Sequence, residues 1–300
     1  MIKNYTITGK TDGLGCQLNA VFSAIAFCEH DPDYIYVHTP FYSISHGWGW
    51  QKDESKSSWE KRTNTIRDFI GIPNGRSENV KIHTRGMRGN KNVFNDRRPS
   101  RWYDEKTLRK LRNWYWSTPK PSPCEQDIVI HIRRGDVNQK DSAQRRFYIP
   151  NSFYNKKIPK ILKHYPDDYT VAIHTEYEKH LKDDFLQFES IIHDWPDSIK
   201  NRIVWKIGEP YNPNCENNLT KAFHDMVTAK VFIQGRSGLS YTSAILNENE
   251  VWFLSGKKAE TGQRYPLDHW RLLELHEGSK TPDGTIYSDF CKDLEEGKYD

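Results

Sequence analysis

The stretch Asp127-Ile128-Val129-Ile130-His131-Ile132-Arg133-Arg134-Gly135-Asp136 decides how this 300-residue chain is read. It opens as a continuous apolar run of strand length and ends in two cations, a glycine and a carboxylate. A strand that is apolar on both faces fits the interior of a parallel sheet covered by helices. The alternation continues downstream, where apolar runs at 169–174, 203–207, 231–234 and 251–254 are separated by helix-length amphipathic segments at 152–164, 178–188, 219–229 and 239–246. Strands alternating with helices predict an α/β unit built on a parallel, Rossmann-like sheet. Ligands of such sheets bind beyond the carboxyl ends of the strands, so the residues that close each apolar run are the candidates for chemistry.

Upstream, Ser117-Thr118-Pro119-Lys120-Pro121-Ser122-Pro123-Cys124 sets three prolines at alternate positions, an extended pattern that neither a helix nor a central strand tolerates. The domain boundary is expected there, giving domains 1–120 and 121–300. Before it, a strand at Tyr5–Thr8, a tight turn at Gly13-Leu14-Gly15, a helix at Gln17–His30 and a strand at Tyr34–His38 read as a second βαβ start, with further helices at 59–69 and 101–116.

Composition narrows the function. Forty-four Lys and Arg against 40 Asp and Glu leave a net charge of +4, too little for a dedicated nucleic-acid binder but compatible with a basic cleft for one anion. The longest apolar stretch, Ala20–Cys28, falls short of the roughly 20 residues that cross a bilayer, and the first residues lack a signal-peptide core. A soluble, cytoplasmic chain is expected. The cysteines at 16, 28, 124, 215 and 291 form an odd, scattered set that fits neither a disulfide framework nor a zinc cage. Asp31-Pro32-Asp33 has metal-motif spacing but sits where a proline shapes a turn, so no metal site is expected.

Several strand and helix ends carry suitable groups. The forks of Arg133 and Arg134 match phosphate oxygens, and Gly135 lets the backbone turn against an anion; an Arg–Asp surface pair is the competing reading. Arg236, Ser237 and Gly238, with Ser240 behind them, stand between a strand and a helix, where backbone N–H groups favour a phosphate, or where Ser237 is simply a cap. Gly13, Gly15, Cys16 and Gln17 open the first helix in the same way. His174 and Glu176 close another strand and face the same edge, or are solvated. His224 and Asp225 lie on the helix before the run 231–234.

Three segments resemble one known group. His131-Ile132-Arg133-Arg134-Gly135-Asp136 is similar to the His-x-Arg-Arg-x-Asp motif of the fucosyltransferase superfamily, which includes the α1,2-, α1,6- and protein O-fucosyltransferases. Gly13-Leu14-Gly15-Cys16-Gln17-Leu18-Asn19 resembles its Gly-x-Gly-(Cys/Asn)-Gln-(Leu/Met) turn. The segment from Ala229 to Tyr241 resembles its strand-turn-helix motif, written Ser-Ser-Phe-Ser. The three follow the family's order and bracket about 235 residues. The resemblance implies a GT-B architecture of two facing Rossmann-like domains, no cofactor or obligatory metal, and inverting transfer from a nucleotide sugar, GDP-fucose first among them, to a hydroxyl of a glycan or glycoprotein. By motif position Arg133 would hold the β-phosphate, His131 would lie near the nucleotide, and Ser237, Gly238 and Ser240 would meet the diphosphate.

The base that takes the acceptor proton is left open. The α1,6-type enzymes place a Glu ten residues after the motif His, which falls on Asp141 here. Asp136 competes, although a carboxylate held by arginine is a weaker proton acceptor, and a third residue is the remaining choice. Two positions depart from the pattern. Val137 replaces a Lys of the α1,6-type enzymes, and Ala222 stands where guanine-reading members carry an Asp, with Asp225 one turn further on. The donor is therefore open to UDP-xylose and to GDP- or UDP-rhamnose, and a nucleotide- or glycan-binding protein without turnover is the non-enzymatic alternative.

Overall fold

The computed structural model describes residues 2–8, 12–41, 44, 56–73, 75, 82–84, 89–94, 96–137, 148–177, 186–208, 218–255 and 265–274. These residues divide into two units: 2–122 with 238–246 and 265–269, and 123–237 with 247–255 and 270–274. Residues 121–300 read as one domain in the sequence; the structure sets 238–246 and 265–269 with the first unit.

The first unit holds a parallel sheet of β1 (Lys3–Ile7), β2 (Tyr34–Tyr36) and β3 (Ile82–Thr84) in the order β2-β1-β3. Helix α1 (Leu14–His30) joins β1 to β2, followed by α2 (Lys56–Ile70), the short α3 (Lys91–Phe94) and α4 (Glu105–Trp116). α1 is apolar around most of its circumference, with Leu18, Ala20, Ala24, Ile25 and Ala26 fully enclosed. Such a helix needs partners on every side, and it has them in β1, β2, α3, α4 and the last helix, α9 (Gly238–Leu246). α4 is one-sided: it buries Leu108, Leu111 and Tyr115, and the Asp104 side chain caps its start by accepting from the Thr107 backbone N–H at 2.8 Å.

The second unit is a six-stranded, wholly parallel sheet. Its strands are β4 (Ile128–His131), β5 (Val171–Thr175), β6 (Ile203–Ile207), β7 (Val231–Ile233), β8 (Glu250–Ser255) and β9 (Arg271–Glu274), in the order β6-β5-β4-β7-β8-β9. Its helices are α5 (Asn151–Leu162), α6 (Leu186–Ile192), α7 (Asp197–Lys200) and α8 (Leu219–Thr228). Every side chain of β4 and β5 is buried, which is why Ile128–Ile130 and Val171–Ile173 read as unbroken apolar runs. Counted within the unit, the strand order is 3-2-1-4-5-6, that of a doubly wound nucleotide-binding sheet. The sequence missed β3, α3, α7 and β9, which are four residues or shorter, and the expected helix 178–188 falls partly outside the described residues, whose helix begins at Leu186.

Candidate active site at the strand switch

The order 3-2-1-4-5-6 reverses direction between β4 and β7: the chain leaves β4 toward β5 on one side and leaves β7 toward β8 on the other. A crevice opens at such a point beyond the carboxyl ends of both strands. Here the two ends are Ile132-Arg133-Arg134-Gly135-Asp136 after β4 and Gln234-Gly235-Arg236-Ser237 after β7. They touch: a Cβ on Gly235 would overlap the carbonyl oxygen of His131, so only glycine lets the β7 turn lie against β4.

The two arginines have different environments. Arg133 is partly exposed and grips Asp136, with Nη2 donating to Oδ2 at 2.7 Å and Nε to Oδ1 at 3.3 Å. Arg134 is 3% exposed and turned inward. Its Nη1 donates to the Arg133 carbonyl at 2.9 Å, and its Nη2 donates to the Ile149 carbonyl at 2.9 Å and to Asn151 Oδ1. The guanidinium lies 4.3 Å from the ring centre of Tyr148 and 5.7 Å from that of Tyr154. Arg134 thus pins the segment before α5 to the end of β4, and burial pushes the Tyr154 hydroxyl up to about 12 despite the nearby guanidinium. Val137, where the resembling enzymes carry a lysine, is fully buried against Tyr148 and belongs to this packing.

A polar row crosses the sheet at the same level. Pairing sets His131 beside His174 and His174 beside Lys206, while Gln234 follows the Ile130–Ile233 pair and continues the row on β7. α8 covers this row with Asp225, whose carboxylate is wholly enclosed. Oδ2 accepts from His174 Nε2 at 3.0 Å and from Lys206 Nζ at 3.0 Å, and Oδ1 accepts from Lys221 Nζ. Burial alone would raise this carboxyl; the hydrogen bonds from His174, Lys221 and Lys206 outweigh it and hold Asp225 well below the usual range. An ionised Asp225 only accepts, so the buried His174, itself lowered by burial, is the neutral tautomer that donates from Nε2. Burial first, then His174 and Arg133, push His131 down to about 3, so it is neutral as well.

Glu176 follows β5 directly. Its Oε2 lies against Gly135, which takes φ +75°; a Cβ there would overlap that oxygen. Burial and the neighbouring Asp136 raise this carboxyl to about 8, against the lowering pull of Arg133. Thr175 Oγ1 and Gln234 Nε2, at the same end of the sheet, are buried with no partner among the described residues. An edge with orphaned polar atoms and a cation within it has the character of a ligand site.

The second unit therefore gathers His131, Arg133, Asp136, His174, Glu176, Asp225, Arg236 and Ser237 at one sheet edge or on the helix beside it. In the first unit, Gly13, Gly15, Cys16 and Gln17 start α1, and Gly238 and Ser240 start α9. These two starts abut, since a Cβ on Gly15 would overlap the Leu239 backbone nitrogen. Gln17 Nε2 donates to the Asp12 carbonyl at 2.6 Å. Asp31 accepts the Asp33 N–H at 3.1 Å in a local turn. Asp141 lies outside the described residues. Lys206 and Lys221 were not anticipated; the spacing of Lys221 four residues before Asp225 on a helix was the available signal. Among the described residues no group of three or more His, Cys, Asp or Glu is placed to hold a metal, and no helix is long and apolar enough to cross a membrane.

No known protein family and no curated protein matches the chain in sequence. Among solved structures, it is similar to the Escherichia coli ADP-heptose LPS heptosyltransferase II, at 13% identity and TM-score 0.39 over 99% of this chain and 100% of that one. It is similar to E. coli heptosyltransferase WaaC with ADP at 9% identity and TM-score 0.41, over 98% and 100% of the two chains. A glycosyl transferase family 9 structure from Veillonella parvula aligns at 12% identity and TM-score 0.43, over 99% and 92%.

Proposed function

We propose that this chain is an inverting glycosyltransferase that moves a sugar from a nucleoside diphosphate donor to a hydroxyl of a glycan, with GDP-fucose as the leading donor. One observation carries the reading: Arg133 stands at the switch point of a 3-2-1-4-5-6 parallel sheet, partly exposed, against a turn that only glycine permits. Loss of the sugar leaves negative charge on the diphosphate, and a guanidinium offers two parallel donors to it in a geometry that water does not match. The three ordered motifs shared with the fucosyltransferase superfamily agree with that role. Arg134 supports it indirectly by fixing the backbone of Arg133. Asp225 is wholly enclosed and holds His174 in one tautomer, with both of its oxygens already accepting from protein donors, so guanine reading by this residue is not part of the proposal.

The test is release of nucleoside diphosphate from GDP-fucose, GDP-rhamnose and UDP-xylose, with and without glycan acceptors. Turnover of one donor is expected. Binding of donors without turnover under any of these conditions would make the chain a nucleotide-sugar binding protein instead.

A further inference from the structure

Arg133 is not the only ionisable group beside the switch-point turn. Glu176 leans on Gly135 from the end of β5, half-buried, and makes no hydrogen bond or ion pair among the described residues, because Asp136 accepts from both Nε and Nη2 of Arg133. The charged groups facing it are Arg133 and Asp136, both from the turn after β4. His174, Lys206 and Lys221 are tied to Asp225 through α8. A diphosphate held by Arg133 would bring further negative charge to a place that already contains Asp136. An ionised Glu176 would repel both.

We propose that Glu176 works in its protonated form, donating a hydrogen bond from its carboxyl O–H to an oxygen of the diphosphate held on Arg133. This deepens the transferase reading and rests on it for the identity of the ligand. Burial and Asp136 already hold the carboxyl at about 8, and a bound anion acts in the same direction. The proton stays on Glu176, and the hydrogen bond strengthens as the departing oxygen gains charge. A neutral carboxyl thereby becomes a donor where an ionised one could only accept.

The experiment is calorimetric titration of the full chain with GDP, ADP and UDP at pH 8.5, in buffers of different ionisation enthalpy. At that pH the nucleotide phosphates are fully ionised, so any proton taken up from the buffer on binding goes onto the protein. Wild type is expected to take up most of one proton per nucleotide bound, and to lose affinity about tenfold per pH unit at higher pH. Glu176→Gln keeps an N–H donor without a titrating group; it should bind within about threefold of wild type at pH 7, take up no proton, and show no alkaline loss. Absence of proton uptake by wild type, or its persistence in Glu176→Gln, overturns the proposal. So does transfer activity that is abolished by Glu176→Gln at every pH and kept by Glu176→Asp, the pattern of a proton acceptor. Failure of the transferase reading looks different: proton-linked nucleotide binding with no donor turned over would leave this role of Glu176 standing.

Discussion

Arg133 and Arg134 differ by one position and by almost everything that decides what a guanidinium does. Arg134 satisfies two backbone carbonyls inside an aromatic cage, so Arg134→Ala leaves those acceptors buried without donors and should cost about 3 kcal/mol or more in denaturant unfolding. Arg133→Ala removes a partly exposed fork and should leave the melting curve nearly unchanged. Its loss should appear instead in transfer, at least about thirty-fold in kcat/KM, which is about 2 kcal/mol of transition-state stabilisation. A variant Arg133 with normal kcat/KM would remove that side chain from the site. Glu176 gives a second residue-scale prediction that needs no ligand. Its carboxyl is raised in the folded chain from 4.5 to about 8, so the fold binds that proton more tightly than the unfolded chain does. The stabilisation is complete below about pH 4.5, is lost progressively up to about pH 8, and changes no further above that. Measured as the difference in unfolding free energy between wild type and Glu176→Gln, the loss should fall in that window; a difference that is flat across it would show that Glu176 titrates normally.

At the scale of elements, the parallel strands were legible because burial on both faces leaves an unbroken apolar run before the polar strand ends, as in Ile128–Ile130 and Val171–Ile173. The arginine motif was legible for a related reason, since charge directly after such a run has to emerge at a sheet edge. Short edge strands gave no such signal: in β9, Leu272 is 44% exposed beside the buried Leu273, too little alternation over four residues to identify a strand. The Gly135–Glu176 contact was hidden because it depends on the register of β5 against β4, which no local pattern encodes. α9 was found as a helix but not its partner. Its Ser240, Thr242, Ser243 and Ala244 are all fully enclosed, small residues whose polarity conceals that they face a neighbouring helix. The approach of α9 to α1 explains Gly15, where any side chain would meet the backbone of Gly238 and Leu239. Gly15→Ala would be neutral or favourable in an isolated helix, yet here it forces two backbones apart. It should destabilise the first unit by about 3 kcal/mol, beyond the usual range of a tight side-chain contact. Wild-type stability in Gly15→Ala, measured by thermal unfolding, would show that the two helix starts do not touch.

For the whole molecule, the first unit is not a contiguous stretch of chain. Residues 2–122 supply its sheet and α1 to α4, whereas α9 arrives more than two hundred residues after the helix it packs on. Without α9, one flank of α1 has no cover, and α1 is a helix with buried residues on every side. The gain from burying that flank is withheld until the chain has closed a very long loop, whose entropic cost grows only slowly with length but has to be met before any contact forms. A fragment ending at residue 122 should therefore contain helix yet lack fixed packing: weak cooperativity on heating, binding of a hydrophobic dye, and poor dispersion of its methyl resonances. Extending the chain to residue 274 should restore a sharp transition, because it returns α9 together with 265–269. A fragment 1–122 that melted as sharply as the full chain would show that α1 needs no late partner, and would make the first unit an independent domain that ends at the proline-rich segment.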